Sequence, residues 1–76
     1  MPLSVAPEGC ALRIESLPSE HNLQMRLMAI GIKPGVRVEV LRRGKPGGIL
    51  HVACGIMEFM IRHDQADEMG VSLVSG

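Results

Sequence analysis

A chain of 76 residues with eight Lys and Arg against eight Asp and Glu carries a formal net charge of zero, which disfavours a protein whose main work is to neutralise nucleic-acid phosphates or an anionic membrane. At this length only about 60% of the unfolded surface is buried on folding, so one modest core is all that can form, and an apolar content of 46% is ordinary for such a domain. Phe59 is the sole aromatic residue, beside six methionines, so this chain cannot build a base-stacking surface or an aromatic polyproline groove.

The first periodic segment is Cys10–Leu17, where Leu12 and Ile14 point one way and Arg13 and Glu15 the other, the pattern of a half-buried strand. Pro18 ends it. Ser19 then offers an N-cap and Glu20 a negative charge in the first helical turn. Leu23, Leu27 and Ile30 recur at helical spacing with Met28 beside them, which predicts a helix of about three turns. Gly31 suits the left-handed position after its end, Ile32 can fold back on the last turn, and Pro34 forbids continuation. Pro34-Gly35 fits the centre of a type II turn. Val36, Val38 and Val40 alternate with Arg37 and Glu39 as a second strand.

The run Gly44-Lys45-Pro46-Gly47-Gly48 reads as a loop. Leu50, Val52 and Cys54 then alternate with His51 and Ala53, Gly55 breaks the run, and Met57, Phe59 and Ile61 alternate with Glu58, Met60 and Arg62. Asp64–Glu68 reads as one helical turn, Val71–Val74 as a last strand, and Ser75 and Gly76 as frayed ends. Five short strands with one helix between the first two predict a mainly β domain, a closed or nearly closed antiparallel barrel whose helix covers one opening.

Two cysteines 44 positions apart fit a reducing cytosol better than a disulfide-stapled secreted domain, while leaving a Cys10–Cys54 bridge open. The N-terminal MPLSVAPEG lacks the basic and apolar regions of a signal peptide, and no run is long enough to span a bilayer. The chain is expected to be cytoplasmic.

The string from Arg26 to Val40, Arg-Leu-Met-Ala-Ile-Gly-Ile-Lys-Pro-Gly-Val-Arg-Val-Glu-Val, resembles the ferrous iron transport protein A (FeoA) family, whose pattern is roughly R-L-x-x-[ML]-G-[IL]-x-P-G-x-x-[VF]-x-V. Arg42-Arg43 before a Gly/Pro loop, then Gly47–Val52, and Met60-Ile61-Arg62 before an acidic turn extend the likeness over residues 8–74. The family's usual loop reads G-D-P, whereas this one reads Lys45-Pro46-Gly47-Gly48. The resemblance implies an SH3-like small barrel and a cytosolic accessory protein that touches the membrane only through the transporter FeoB, by way of its GTP-binding domain. The same module ends iron-dependent repressors, so a metal-responsive regulatory domain is the rival reading. This chain has no room for a helix-turn-helix.

Two surfaces could carry a partner. The helix–turn junction of Met28, Ile30, Gly31, Ile32 and Pro34 reads either as a rigid turn or as an apolar knob. Arg42, Arg43 and Lys45 read either as a solvated hairpin tip or as a basic cluster facing a GTPase. Met25/Met28 and Met57/Met60 share an MxxM spacing that invites Cu(I), but on a strand the second pair points to opposite sides. Methionine is expected instead to fill core gaps that absent aromatics leave. Among the metal-ligand types no CxxC, HxxxH or HxH pattern occurs, which leaves His63-Asp64 as the remaining metal candidate. No nucleophile elbow, phosphate loop or paired-carboxylate motif is present. The expectation is a non-enzyme without cofactor that binds FeoB and no nucleic acid, its oligomeric state left open. A direct transition-metal binder and an SH3-like nucleic-acid module are the alternatives.

Overall fold

The computed structural model describes residues 1–75; Gly76, read above as a frayed end, lies outside the described residues. Five strands, β1 (Leu12–Ser16), β2 (Arg37–Arg43), β3 (Ile49–Cys54), β4 (Met57–Arg62) and β5 (Gly70–Leu73), are joined by α1 (His21–Ala29) after β1 and a helical turn, α2 (His63–Ala66), after β4. All neighbours pair antiparallel in the order β4-β3-β2-β1-β5. The expected mainly β architecture, with one helix between strands 1 and 2, is therefore present. Every strand contributes to one core: Leu12 and Ile14, Val38 and Val40, Leu50 and Val52, Ile61, and Val71 all lie in the same buried cluster with Leu23 and Leu27 of α1. The sheet wraps this core but is unclosed, because among the described residues no pairing joins β4 to β5.

The free side of β5 is covered by the N-terminal segment. The Leu3 N–H donates to the Met69 carbonyl at 2.8 Å, the Val71 N–H donates to the Met1 carbonyl at 2.7 Å, and Pro2 bridges Gly70. Leu3 and Ala6 are fully buried, so the core starts earlier than the span over which the family resemblance was drawn. This segment carries no periodicity, since its first residues form a bridge and then a single 3₁₀ turn at Leu3–Val5.

The N-cap of α1 is Glu20, where Ser19 was expected. Its carboxylate accepts from the N–H groups of Asn22 and Leu23 at 3.2 and 2.7 Å, while the Ser19 hydroxyl is engaged with Glu68 Oε1 at 2.8 Å. The helix has nine residues, shorter than the three turns expected. At its end Gly31 takes φ +88°, its N–H donating to the Met28 carbonyl at 3.0 Å and that of Ile32 to the Leu27 carbonyl at 2.8 Å. This is the Schellman arrangement, which needs a left-handed residue that glycine adopts without Cβ strain. It carries Ile32 into the core. The Val36 N–H then closes onto the Lys33 carbonyl at 3.2 Å across Pro34 and Gly35 (φ +93°), the expected type II turn. Hydrogen bonds of 2.8 and 2.9 Å from Gly35 and to Val36 pin that turn to Ile14 of β1.

Candidate functional site

Register decides which side chains reach the surface. In the β3–β4 hairpin, Leu50↔Ile61, Val52↔Phe59 and Cys54↔Met57 face inward, and Ile49↔Arg62, His51↔Met60 and Ala53↔Glu58 face outward. α1 rests on Leu23 and Leu27, its two buried residues, and faces the Phe59–Ile61 stretch of β4 across a gap. Between helix and strand a groove of about 430 Å³ remains, walled by Leu23, Leu27, Ala29 and Ile30 on one side and by Phe59, Met60 and Ile61 on the other, with Arg26 and Gln65 at its margin. The lone aromatic ring is thus only half-buried and forms part of the groove wall.

Beyond the groove the apolar surface continues in both directions. Met28 and Ile30 are 50% and 44% exposed on the helix end, and Met60 is 65% exposed on the strand. Met60 also borders a second depression of about 330 Å³ on the outer sheet face, together with Arg42, Gly44, Ile49 and His51. Beside it the His51 Nε2 lies 2.6 Å from Glu58 Oε1. Long unbranched thioethers at this surface can adapt to an irregular counterpart. The expectation that methionine fills the core holds for Met69, which is fully buried, and fails for Met25, Met28 and Met60, which are exposed.

Exposure divides the residues of the helix–turn junction. Met28, Ile30, Gly31 and Pro34 are exposed, but Ile32 is 0% exposed and cannot touch a partner. As the second residue beyond the helix end it packs back on the core, the contact that commonly accompanies a Schellman turn. The basic cluster is divided in the same way. A register shift between Val40 and Arg42, a β-bulge at Leu41, sets Arg42 opposite outward-facing His51 and Arg43 opposite inward-facing Leu50. The Arg43 guanidinium donates to the Ala6 carbonyl and its N–H to Glu8 Oε2 at 2.8 Å, so Arg43 fastens the N-terminal segment. Arg42 and Lys45 remain exposed.

His63 and Asp64 face different partners: His63 Nδ1 lies 3.7 Å from Asp67 Oδ1, and Asp64 Oδ1 accepts from Arg62 Nε at 3.3 Å. Among the described residues no three His, Cys, Asp or Glu side chains converge as a metal site would require, and Cys10 and Cys54 are half-buried free thiols. Phe59, Met60, Ile49 and Arg26 were missed as surface residues. One signal was legible: Met60 is an apolar residue on the wet face of its strand, between Glu58 and Arg62.

A family model described as the FeoA domain matches residues 1–73. Among solved structures, the FeoA protein from Chlorobium tepidum is similar with a TM-score of 0.90 at 29% identity, over 100% of this chain and 72% of that one. FeoA from Stenotrophomonas maltophilia, complexed with zinc and described as a prokaryotic SH3 domain protein and candidate activating factor of ferrous iron transport, gives a TM-score of 0.77 at 28% identity over 95% of this chain and 89% of that one. A manganese-dependent transcriptional repressor shares the fold, with a TM-score of 0.85 at 19% identity over 97% of this chain and 41% of its own. No curated protein matches by sequence.

Proposed function

The chain belongs to the FeoA domain family, and on that premise we propose that this accessory protein of ferrous iron transport works by docking on the cytosolic GTP-binding domain of the transporter FeoB. The observation that carries the reading is the apolar surface running from Met28 and Ile30 across the helix–strand groove to Met60. Leaving such side chains in water costs free energy that a partner's aliphatic groups recover on contact. Arg42 and Lys45, exposed on the sheet face and its hairpin, supply a charged rim that steers an acidic counterpart. With one Phe and neither Trp nor Tyr in the chain, recognition rests on thioether and aliphatic contact. The protein acts from the cytosol as a single non-catalytic domain; no helix of the described residues is long and apolar enough to cross a membrane.

The test is capture of the FeoB cytosolic domain by the wild type and by Met28→Asp, Ile30→Asp and Arg42→Glu. Loss of capture by the two apolar variants, and weaker but salt-sensitive capture by Arg42→Glu, is expected. Undiminished capture by all three overturns the reading. The repressor-like reading, a metal-responsive regulatory module, is favoured only by fold likeness at 19% identity. Anaerobic titration with Fe²⁺ decides it: stoichiometric binding supports it, and none rejects it.

A further inference from the structure

The two outer strands of the sheet are finished differently. β5 is covered by residues 1–3, whereas among the described residues no strand pairs with the free side of β4, which has only α1 across the groove and Gln65 at its Arg62 end. The direction of its free backbone groups follows from two bonds. The His63 N–H donates to the Gly48 carbonyl at 2.8 Å, toward β3, while the Arg62 N–H turns outward to Gln65 Oε1 at 3.1 Å. Alternation along an antiparallel ladder then points the N–H and C=O groups of Glu58 and Met60 away from β3. Protective devices are missing as well. The β3–β4 ladder runs six pairs without a register shift, unlike β1–β5 and β2–β3, and Met57–Arg62 contains neither Lys nor Pro; its two charges, Glu58 and Arg62, are of opposite sign and repel no antiparallel copy that sets one against the other.

The sequence of this edge is self-complementary. Glu58-Phe59-Met60-Ile61-Arg62, laid antiparallel on a second copy with Met60 on the two-fold axis, sets Glu58 opposite Arg62 twice and Phe59 opposite Ile61 twice. Registers that keep faces aligned differ by two residues. Moving the axis to Phe59 sets Glu58 against Met60 and Arg62 against Ile56. Moving it to Ile61 sets Arg62 against Met60 and Glu58 against Asp64, a like-charge pair. Only the Met60 register matches both charges. It also leaves the Arg62–Gln65 bond intact, because the Glu58 N–H donates to the Arg62 carbonyl across the axis and the two Met60 residues exchange N–H and C=O.

We propose that a second copy of this chain pairs with the β4 edge about Met60, continuing the sheet across a two-fold axis and seating the partner strand against the α1–β4 groove. Existing contacts permit it. Glu58 and Arg62 bond His51 and Asp64 through side chains that are more than half exposed on the Glu58, Arg62 and Asp64 members, and exposed pairs hold their members weakly. The proposal stands on the edge geometry and does not depend on the FeoB reading.

Sedimentation equilibrium of the full chain from micromolar to millimolar concentration tests it. The wild type is expected to show reversible monomer–dimer association. Met60→Pro is expected to be monomeric with an unchanged fold, since proline is tolerated where an edge N–H faces solvent. Glu58→Arg and Arg62→Glu each weaken association by about tenfold or more, and the double exchange E58R/R62E restores it. This charge-exchange set decides the matter even where Met60→Pro folds poorly. A wild type monomeric at millimolar concentration, a dimer insensitive to Met60→Pro, or no rescue by the double variant overturns the proposal. Were the wild type monomeric while Met60→Pro lost capture of the FeoB domain, the edge would belong to that partner and the self-pairing would be refuted.

Discussion

Ile30 and Ile32 are the same side chain two positions apart, and the Schellman turn between them sends one outward and the other into the core. Ile30 is 44% exposed and Ile32 is 0% exposed. Replacing Ile32 by Ala removes three buried carbons, at about 0.8 kcal/mol each, and leaves a cavity whose cost comes on top, within the range of about 2–5 kcal/mol measured for such truncations. A domain of 76 residues has about 4–11 kcal/mol of stability in all, so a loss of about 3 kcal/mol is a large share. At about 4–8 °C per kcal/mol, the melting temperature should fall by about 12–24 °C. Ile30→Ala uncovers half as much and opens no cavity, so its loss should stay near 1 kcal/mol. Thermal and urea melts followed by far-UV circular dichroism measure both. FeoB capture, measured well below either melting point, should show the reverse order, with Ile30→Ala impaired and Ile32→Ala intact. Equal melting temperatures, or greater binding loss at Ile32, would refute the assignment of one isoleucine to the surface and the other to the core.

Three further outcomes are expected. Glu20→Ala removes the side chain that caps Asn22 and Leu23; it should cost about 1 kcal/mol and speed hydrogen exchange at those two amides before any in β3. Gly31→Ala meets no atom within 4 Å, so its loss of about 1–2 kcal/mol in a chemical melt comes from the left-handed backbone alone; a neutral result would mean that the Schellman turn is not held in solution. Arg43→Ala releases the Ala6 carbonyl, which should cost about 1–2 kcal/mol and raise proteolytic cleavage near Pro7, with FeoB GTP hydrolysis unchanged. A fall in that hydrolysis would return Arg43 to the basic cluster facing a GTPase.

The fold was legible because period-two and period-3.6 patterns are written in residues that bury or expose on their own account. Leu12 and Ile14, Val38 and Val40, Leu50 and Val52 all point inward as alternation requires. What escaped depended on contacts far apart in sequence. Ser19 has the chemistry of a cap, but Glu68, 49 positions away, engages its hydroxyl, and Glu20 takes the cap instead. Arg42 and Arg43 look equivalent until the bulge at Leu41 exchanges their faces. Leu3 and Ala6 enter the core through a bridge too short to show periodicity. The site was half legible. Met28 and Ile30 mark the end of an amphipathic stripe, whereas the groove beside them exists only because α1 and β4 meet in space.

α1 touches the core through Leu23 and Leu27 alone, with Gln24 Nε2 tying it to the Pro18 carbonyl at 2.6 Å. Its far end hangs from the Ile32 anchor. The groove thus has one wall built into a hydrogen-bonded sheet and another held by two leucines, one side-chain hydrogen bond and the Ile32 anchor. A segment with so few buried side chains is drawn from the low end of local stability, so the groove joins the least anchored element of the domain to part of its hydrogen-bond ladder. A ligand seated there would add apolar contact to the helix, and its binding would be felt as added protection of the α1 amides before those of the strands.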